Sequence, residues 1–231
     1  MRQAKSGAPE GLCIVARQQT HGRGRHERAW SSPRDAGLYA SILLRPRFDV
    51  SIWPLITLMA ALAVSDALLE ACGLQPDIKW PNDLIINDRK MCGILAETVE
   101  TNQGLACVLG LGINLRDDAF PAELQGRATS VAAITGKDAN AEQLLPVLLA
   151  HLSRHYAQLA EDTGPAGVIR DWTAASSFAI GKPVRVDTGT EVFSGETLGL
   201  ENDGALRIQT AAGETRIVRS GDVQSLRPVD H

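Results

Sequence analysis

From about Ser177 onward no helical period survives in the chain, and this change of texture constrains the fold more than any other feature. The runs PVRV, EVFSGETLGL, GALRIQT, ETRIV and VQSLR are short and β-type, with turn signals at Asp187-Thr188-Gly189 and Asn202-Asp203-Gly204. Five short strands cannot build a large sandwich, so a small closed or partly closed barrel over residues 178–231 is the economical solution. Residues 1–177 read differently. Short apolar runs at 12–16, 38–44, 84–86, 93–99 and 105–111 are bounded by Gly, Asn, Asp or charged residues and predict strands. Between the second and third of them, SIWPLITLMAALAVSDALLEACG is apolar on nearly every face and predicts a long core helix stopped at Gly73. AEQLLPVLLAHLSRHYAQLAEDTG carries a stripe of Leu144, Leu148, Leu152, Tyr156 and Leu159, a second helix that tolerates Pro146 near its start and lays one face on the sheet. The fold class is therefore α+β, with an all-β tail.

Composition narrows the partners. With 27 acidic and 23 basic side chains the net charge is −4, so no global positive field draws the chain to nucleic acid or anionic lipid, and any anion site must be local. The most apolar run, Ile52 to Val64, falls short of the roughly 18 to 20 residues of a bilayer-spanning helix. The amino terminus lacks the apolar core of a secretory signal. No membrane partner and a cytoplasmic location are expected. Cys13, Cys72, Cys92 and Cys107 form no CxxC pair and have no histidine at metal-ligand spacing, which predicts reduced core thiols.

The densest chemical signal runs from Gln19 to Trp30, QTHGRGRHERAW, directly after a strand. Arg17, Arg23, Arg25, Arg28 and Arg34 share 18 residues with one acid, Glu27. A solvated basic face would explain such a run. Glycine alternating with arginine also removes Cβ bulk, so that backbone amides and guanidinium forks can close on a phosphate or carboxylate. Clustered like charges and glycines predict a mobile loop that an anion orders. It is no dinucleotide fingerprint, since Glu27 stands at the third glycine, and the chain has no GxxxxGK[ST] loop. A second segment, Lys79-Trp80-Pro81-Asn82-Asp83-Leu84, is ambiguous alone, because Pro-Asn-Asp turns are often purely structural. Gly93 in KMCGILAE, and Gly110 and Gly112 in LGLGINL, interrupt apolar strands and suggest close approach of a ligand or another backbone.

In this order the four segments resemble the biotin protein ligases, which carry a GRGRxGRxW loop, a KWPNDL segment, a KxxGIL strand and a GxGIN strand. The resemblance runs from about residue 11 to residue 227 and includes the small C-terminal barrel, a Src-homology-3-like one. It implies a mixed-sheet biotin/lipoate ligase-like catalytic domain at 1–177, a C-terminal domain at 178–231, and no DNA-binding domain. The implied chemistry is ATP-dependent conversion of biotin to biotinyl-AMP, then transfer to one lysine of a biotin carboxyl carrier domain. Magnesium is implied with ATP, with no ligand set legible. By resemblance, Gln19, Gly22, Arg23, Gly24, Arg25 and Gly93 surround biotin and the adenylate phosphate, with Ile94 or Leu95 supplying apolar wall. Lys79 lies near the reacting carboxylate and phosphate and, with Arg23 and Arg25, carries catalysis. Arg28, Trp30, Asn82, Lys90 and Asn114 take the nucleotide side.

Two departures stand out. Glu27 replaces a family glycine, which predicts a stiffer loop or an acid beside the phosphates. The family's first strand, ending Ser-Thr-Asn, and the helix after it have no counterpart here beyond MRQAK, which resembles that helix's end; a start at an internal methionine and weak biotin binding are the expectations. The sheet edge so exposed favours pairing with another chain, hence a homodimer. Two other readings remain open: a non-catalytic biotin binder, against which the retained Lys79 and loop arginines speak, and a lipoate ligase or octanoyltransferase of the related fold.

Overall fold

A computed structural model of the chain describes residues 1–226; the last five residues of the expected C-terminal domain lie outside the described residues, as does residue 227, where the family resemblance ends. A short helix α1 (Arg2–Lys5) precedes strands β1 (Cys13–Ala16) and β2 (Gly37–Leu44), helix α2 (Leu55–Cys72), and strands β3 (Asp77–Lys79), β4 (Asp83–Ile86), β5 (Arg89–Thr101) and β6 (Gly104–Asn114). Helices α3 (Val131–Thr135), α4 (Ala141–Leu159) and α5 (Gly164–Ala175) follow, then β7 (Ile180–Asp187), β8 (Val192–Leu200), β9 (Leu206–Thr210), β10 (Thr215–Val218) and β11 (Asp222–Ser225).

The first six strands form one sheet in the order β1-β2-β6-β5-β4-β3. The expected mixed sheet is antiparallel in each of these ladders, because hairpins join β3 through β6 and need no crossover; parallel pairing among the described residues is confined to isolated bridges such as Lys90 with Ala128. Helix α2 is apolar on nearly every face because most of it is buried, between the sheet, α4 and α5; near its C-terminal end Asp66, Leu69 and Glu70 reach solvent. It stops at Gly73, whose φ of 66° lets the Gly73 and Leu74 amides donate back to Leu69 and Leu68 carbonyls. The stripe of α4 buries Leu144, Leu148, Leu152 and Leu159 as its spacing predicts. It packs on α2 rather than on the sheet, since α2 already covers that part of the sheet. Helix α5 escapes a periodicity reading because Gly164, Pro165 and Gly167 fill its first turn, although proline there is a start signal.

The tail folds into the five expected strands, one antiparallel sheet ordered β10-β9-β8-β7-β11. Its buried Val184, Val186, Leu206, Ile208, Val218 and Val223 join the same apolar core as α2. Contact is closest at the 202–204 turn. Trp80 Nε1 donates to the Gly204 carbonyl over 3.0 Å, and a Cβ on Gly204 would lie 2.9 Å from Leu55 Cδ2 and 3.0 Å from Leu58 Cδ1. With φ at +81°, this position is doubly restricted to glycine. Gly204→Ala is expected to cost about 1–3 kcal/mol by overpacking and about 1 kcal/mol by its left-handed backbone, read as a lowered thermal midpoint. An unchanged midpoint would mean that the turn yields without loss of the Trp80 bond.

Candidate functional site

Side chains alternate across a strand, so β5 sends Cys92 and Ile94 toward the buried core, while Gly93, Leu95 and Glu97 share the other face. That second face carries the arginine segment. The segment is a hairpin folded on itself: Gln19 bridges Ser32, Trp30 N donates to Gly22 O at 2.9 Å, Arg23 bridges Ala29, and Gly24 N donates to Arg28 O at 2.7 Å. Gly22 is fixed by crowding, since a Cβ there would collide with the Trp30 carbonyl and with Gln19 Oε1, which accepts from Ser32 Oγ at 2.6 Å. At the tip, His26 and Glu27 take φ of 51° and 58°. This left-handed turn is the physical reason a glycine suits position 27.

The close approach foreshadowed by the strand glycines is made by Trp30. Its ring lies over Gly93 and Gly112, where added Cβ atoms would sit 2.8 Å from Cζ3 and 2.5 Å from Cε2. Lys90 Nζ stands 5.2 Å from the Trp30 ring centroid and pairs with Asp83 Oδ1 at 2.6 Å. The indole Nε1 is buried without a hydrogen-bond partner, a donor left for a ligand or a rearranged loop.

The arginines have partners, so the like charges behind the expected mobile loop are compensated in this arrangement. Arg17 is paired with Asp35 at 2.6 Å, and Arg23 makes a bidentate pair with Glu97 at 2.9 and 2.7 Å. Arg25 reaches across to the tail, donating to Gly221 O and Ser220 Oγ at 3.2 Å each, and Arg28 pairs with Asp222. Burial lowers the Arg25 pKa, with Asp222 and Asp83 opposing that shift and Arg28 adding to it. Burial likewise pulls Lys79, at the end of β3, below the ordinary lysine range; Asp83 counters this, and Lys90 reinforces it. Asp222 also acts on Lys79. Lys79, Lys90, Arg25 and Arg28 thus converge from three separate segments, with Asp83 and Asp222 as their nearest carboxylates.

Two adjoining clefts share Arg25 and Leu95; Lys79, Lys90 and Arg28 line neither. One has Trp80 and Pro81 on one side and the 203–205 turn of the tail on the other; the second lies along the hairpin from Arg23 to Glu27. Asn82 lines the first cleft and is also held to β5, donating from Nδ2 to Ile94 O at 2.7 Å while its backbone carbonyl accepts from Ile94 N. Asn114 is 6% exposed and holds the Thr129 carbonyl, behind the clefts rather than in them. Of the two apolar candidates, Leu95 lines both clefts, while Ile94, part of the core, reaches only the first. Sequence reasoning missed Glu97, Ser220 and Asp222, whose partners lie 74, 195 and 194 positions away along the chain.

Residues 3–114 match the biotin/lipoate A/B protein ligase family and residues 179–225 the biotin protein ligase C-terminal domain. The architecture is thus that of the biotin and lipoate ligases. A biotin–[acetyl-CoA-carboxylase] ligase of Paracoccus denitrificans is 36% identical over 207 residues, 87% of this chain and 85% of its own. The bifunctional ligase/repressor BirA of Bacillus subtilis is 35% identical over 225 residues, 96% of this chain and 68% of its own. Among solved structures, a biotin protein ligase from Aquifex aeolicus in complex with biotin and ATP matches with a TM-score of 0.84 at 30% identity, covering 98% of this chain and 93% of that one. The chain belongs to the biotin protein ligase family.

Asp222 holds the Arg28 guanidinium, which the family resemblance puts on the nucleotide side. Asp222→Asn is expected to tighten ATP binding by up to about fivefold at low salt, the worth of about 1 kcal/mol for an exposed pair, with the gain fading at high salt. Titration at two ionic strengths measures it, and weaker binding would instead make Asp222 a support for the loop.

Proposed function

We propose that this chain activates biotin with ATP and transfers the biotinyl group to one lysine of a biotin carboxyl carrier domain. The observation that carries this reading is the grouping of Lys79, Lys90, Arg25 and Arg28 around Asp83 and Asp222, with Arg25 lining a cleft walled by Leu95 and Trp80. A biotin carboxylate must approach an α-phosphate of the same sign, and fixed cations lower that barrier. The carboxylate oxygen attacks the α-phosphorus, the bond to pyrophosphate breaks, and pyrophosphate leaves. The carrier's lysine amine then attacks the acyl carbon of biotinyl-AMP, AMP departs on its phosphate oxygen, and the amine gives up a proton to solvent.

In this scheme Lys79, Arg23 and Arg25 stabilise charge at the reacting centre. Gln19, Gly22, Gly24 and Gly93 line biotin, and Arg28, Trp30 and Lys90 face the nucleotide. Asn82 and Asn114 act through the backbone they hold. Magnesium enters as part of the ATP substrate: Asp83, Glu97 and Asp222 are each already paired with a cation, so the described residues of this site offer no preformed metal cage. We divide the chain at 177/178, with a C-terminal unit that braces the arginine hairpin from across that boundary. The edge strand β1, with Ile14 and Val15 half exposed, is the surface for pairing with a second copy. Four free cysteines fit a reducing cytoplasm.

The test is incubation with biotin, ATP, magnesium and a carrier domain. A carrier heavier by one biotinyl group is the expected result. Biotin binding without transfer would make the chain a binder, and protection against heat by lipoate rather than biotin would move it to the lipoate branch of the fold.

A further inference from the structure

Where α4 packs on α2, four side chains meet at helical spacing: Asp66 and Glu70 on α2, His151 and His155 on α4. Both histidines are nearly enclosed, with side chains 11% and 13% exposed. His155 Nε2 lies 2.8 Å from Asp66 Oδ2, and His151 Nε2 lies 2.8 Å from Glu70 Oε2. Arg154 places one guanidinium nitrogen 2.9 Å from Asp66 Oδ2 and 2.9 Å from His151 Nδ1. A guanidinium only donates, so His151 Nδ1 carries the lone pair and its Nε2–H donates to Glu70. The Arg154 nitrogen therefore marks a point where a carboxylate oxygen and an imidazole lone pair converge on positive charge.

We propose that Asp66, His151 and His155 form a divalent metal site of the zinc class that bridges α2 and α4, with Glu70 orienting His151 from behind. The three ligand atoms lie within 4.8 Å of one another, and His151 Nδ1 is 3.7 Å from Asp66 Oδ2. Metal–ligand bonds of about 2.0–2.2 Å require separations of this order around one ion. Two imidazoles with one carboxylate suit Zn2+ and neighbouring transition ions, whereas Mg2+ prefers an all-oxygen shell. A carboxylate accepting the far N–H of a ligating histidine is the usual outer support of such sites, and Glu70 already holds that place. Metal entry takes His155 as the tautomer with its proton on Nδ1 and the Nε2 lone pair on the ion, and sends Arg154, half exposed, out into water.

The experiment uses the full chain without a histidine tag, titrated with ZnCl2 by calorimetry and melted with and without the ion. One Zn2+ per chain, a raised melting point and no comparable response to MgCl2 are expected. His151→Ala and His155→Ala should each weaken binding at least tenfold. Arg154→Ala should tighten it, because the competing cation is gone. Cys72→Ser should leave it unchanged, and biotinylation by all four variants should match the parent, confirming that they fold. Absence of one-to-one binding, equal binding by a His151→Ala/His155→Ala double variant, or weaker binding by Arg154→Ala would each overturn the site and show a polar contact between helices only; none of these outcomes bears on biotin activation.

Discussion

Lys79→Ala is expected to slow biotinyl-AMP formation by about 10²- to 10³-fold, the usual loss when one preorganised charge-stabilising group is removed, while the fold persists. The lysine ends a three-residue strand whose neighbour Ile78 is fully buried, so its amine is delivered to the cation cluster by a rigid element rather than a loop. Its depressed pKa adds a second signature. The charged form is the active one, so activity should fall as pH rises through a value below the ordinary lysine range, and Lys79→Arg should remove that alkaline limb even where it restores only part of the rate. Pyrophosphate release across pH measures both effects. A rate within about threefold of the parent, set against the 10²-fold expectation, would assign Lys79 to structure.

What the sequence made legible was local. The αL stop at Gly73, the α4 stripe and the five tail strands follow from periodicity and turn residues, because each depends on neighbours within a few positions. The arginine hairpin was recognised by its glycines and charge, but its state was not. Like charges repel only when uncompensated, and the compensating acids Glu97 and Asp222 come from β5 and β11. The same limit applies to Gly93 and Gly112: strand glycines announce a close approach without saying by what, and here Trp30 is the approaching group. Asn114 illustrates the converse, since a polar residue inside a functional motif can serve the backbone beneath it. The antiparallel ladders and the packing of α4 on α2 likewise depend on tertiary order that no window of sequence contains.

Arg25→Gly is expected to release biotinyl-AMP faster than the parent does and to biotinylate bystander lysines with less selectivity. Arg25 belongs to both clefts, is buried enough to have its pKa lowered, and spends two donors on the tail in the absence of ligand. Those contacts, to a carbonyl and a hydroxyl, are neutral acceptors that an anionic phosphate outcompetes, because hydrogen bonds to charged acceptors are shorter and about twice as strong. On the proposed scheme the side chain is held near the site at low cost and would turn over to the adenylate when it forms. Losing one such charge-assisted bond, about 1.5–3 kcal/mol, speeds dissociation by roughly ten- to two-hundredfold on the scale of 1.4 kcal/mol per decade. Glycine also removes the tether from the hairpin tip to Ser220 and Gly221, so the loop should exchange amide hydrogens faster at Gly22 to Arg28 in the variant than in the parent. Rapid mixing of preformed adenylate complex with excess carrier-free buffer gives the off-rate. An off-rate equal to the parent's, with unchanged exchange at the tip, would place the hold on the intermediate elsewhere, with Arg23 and Lys79 the next groups to test.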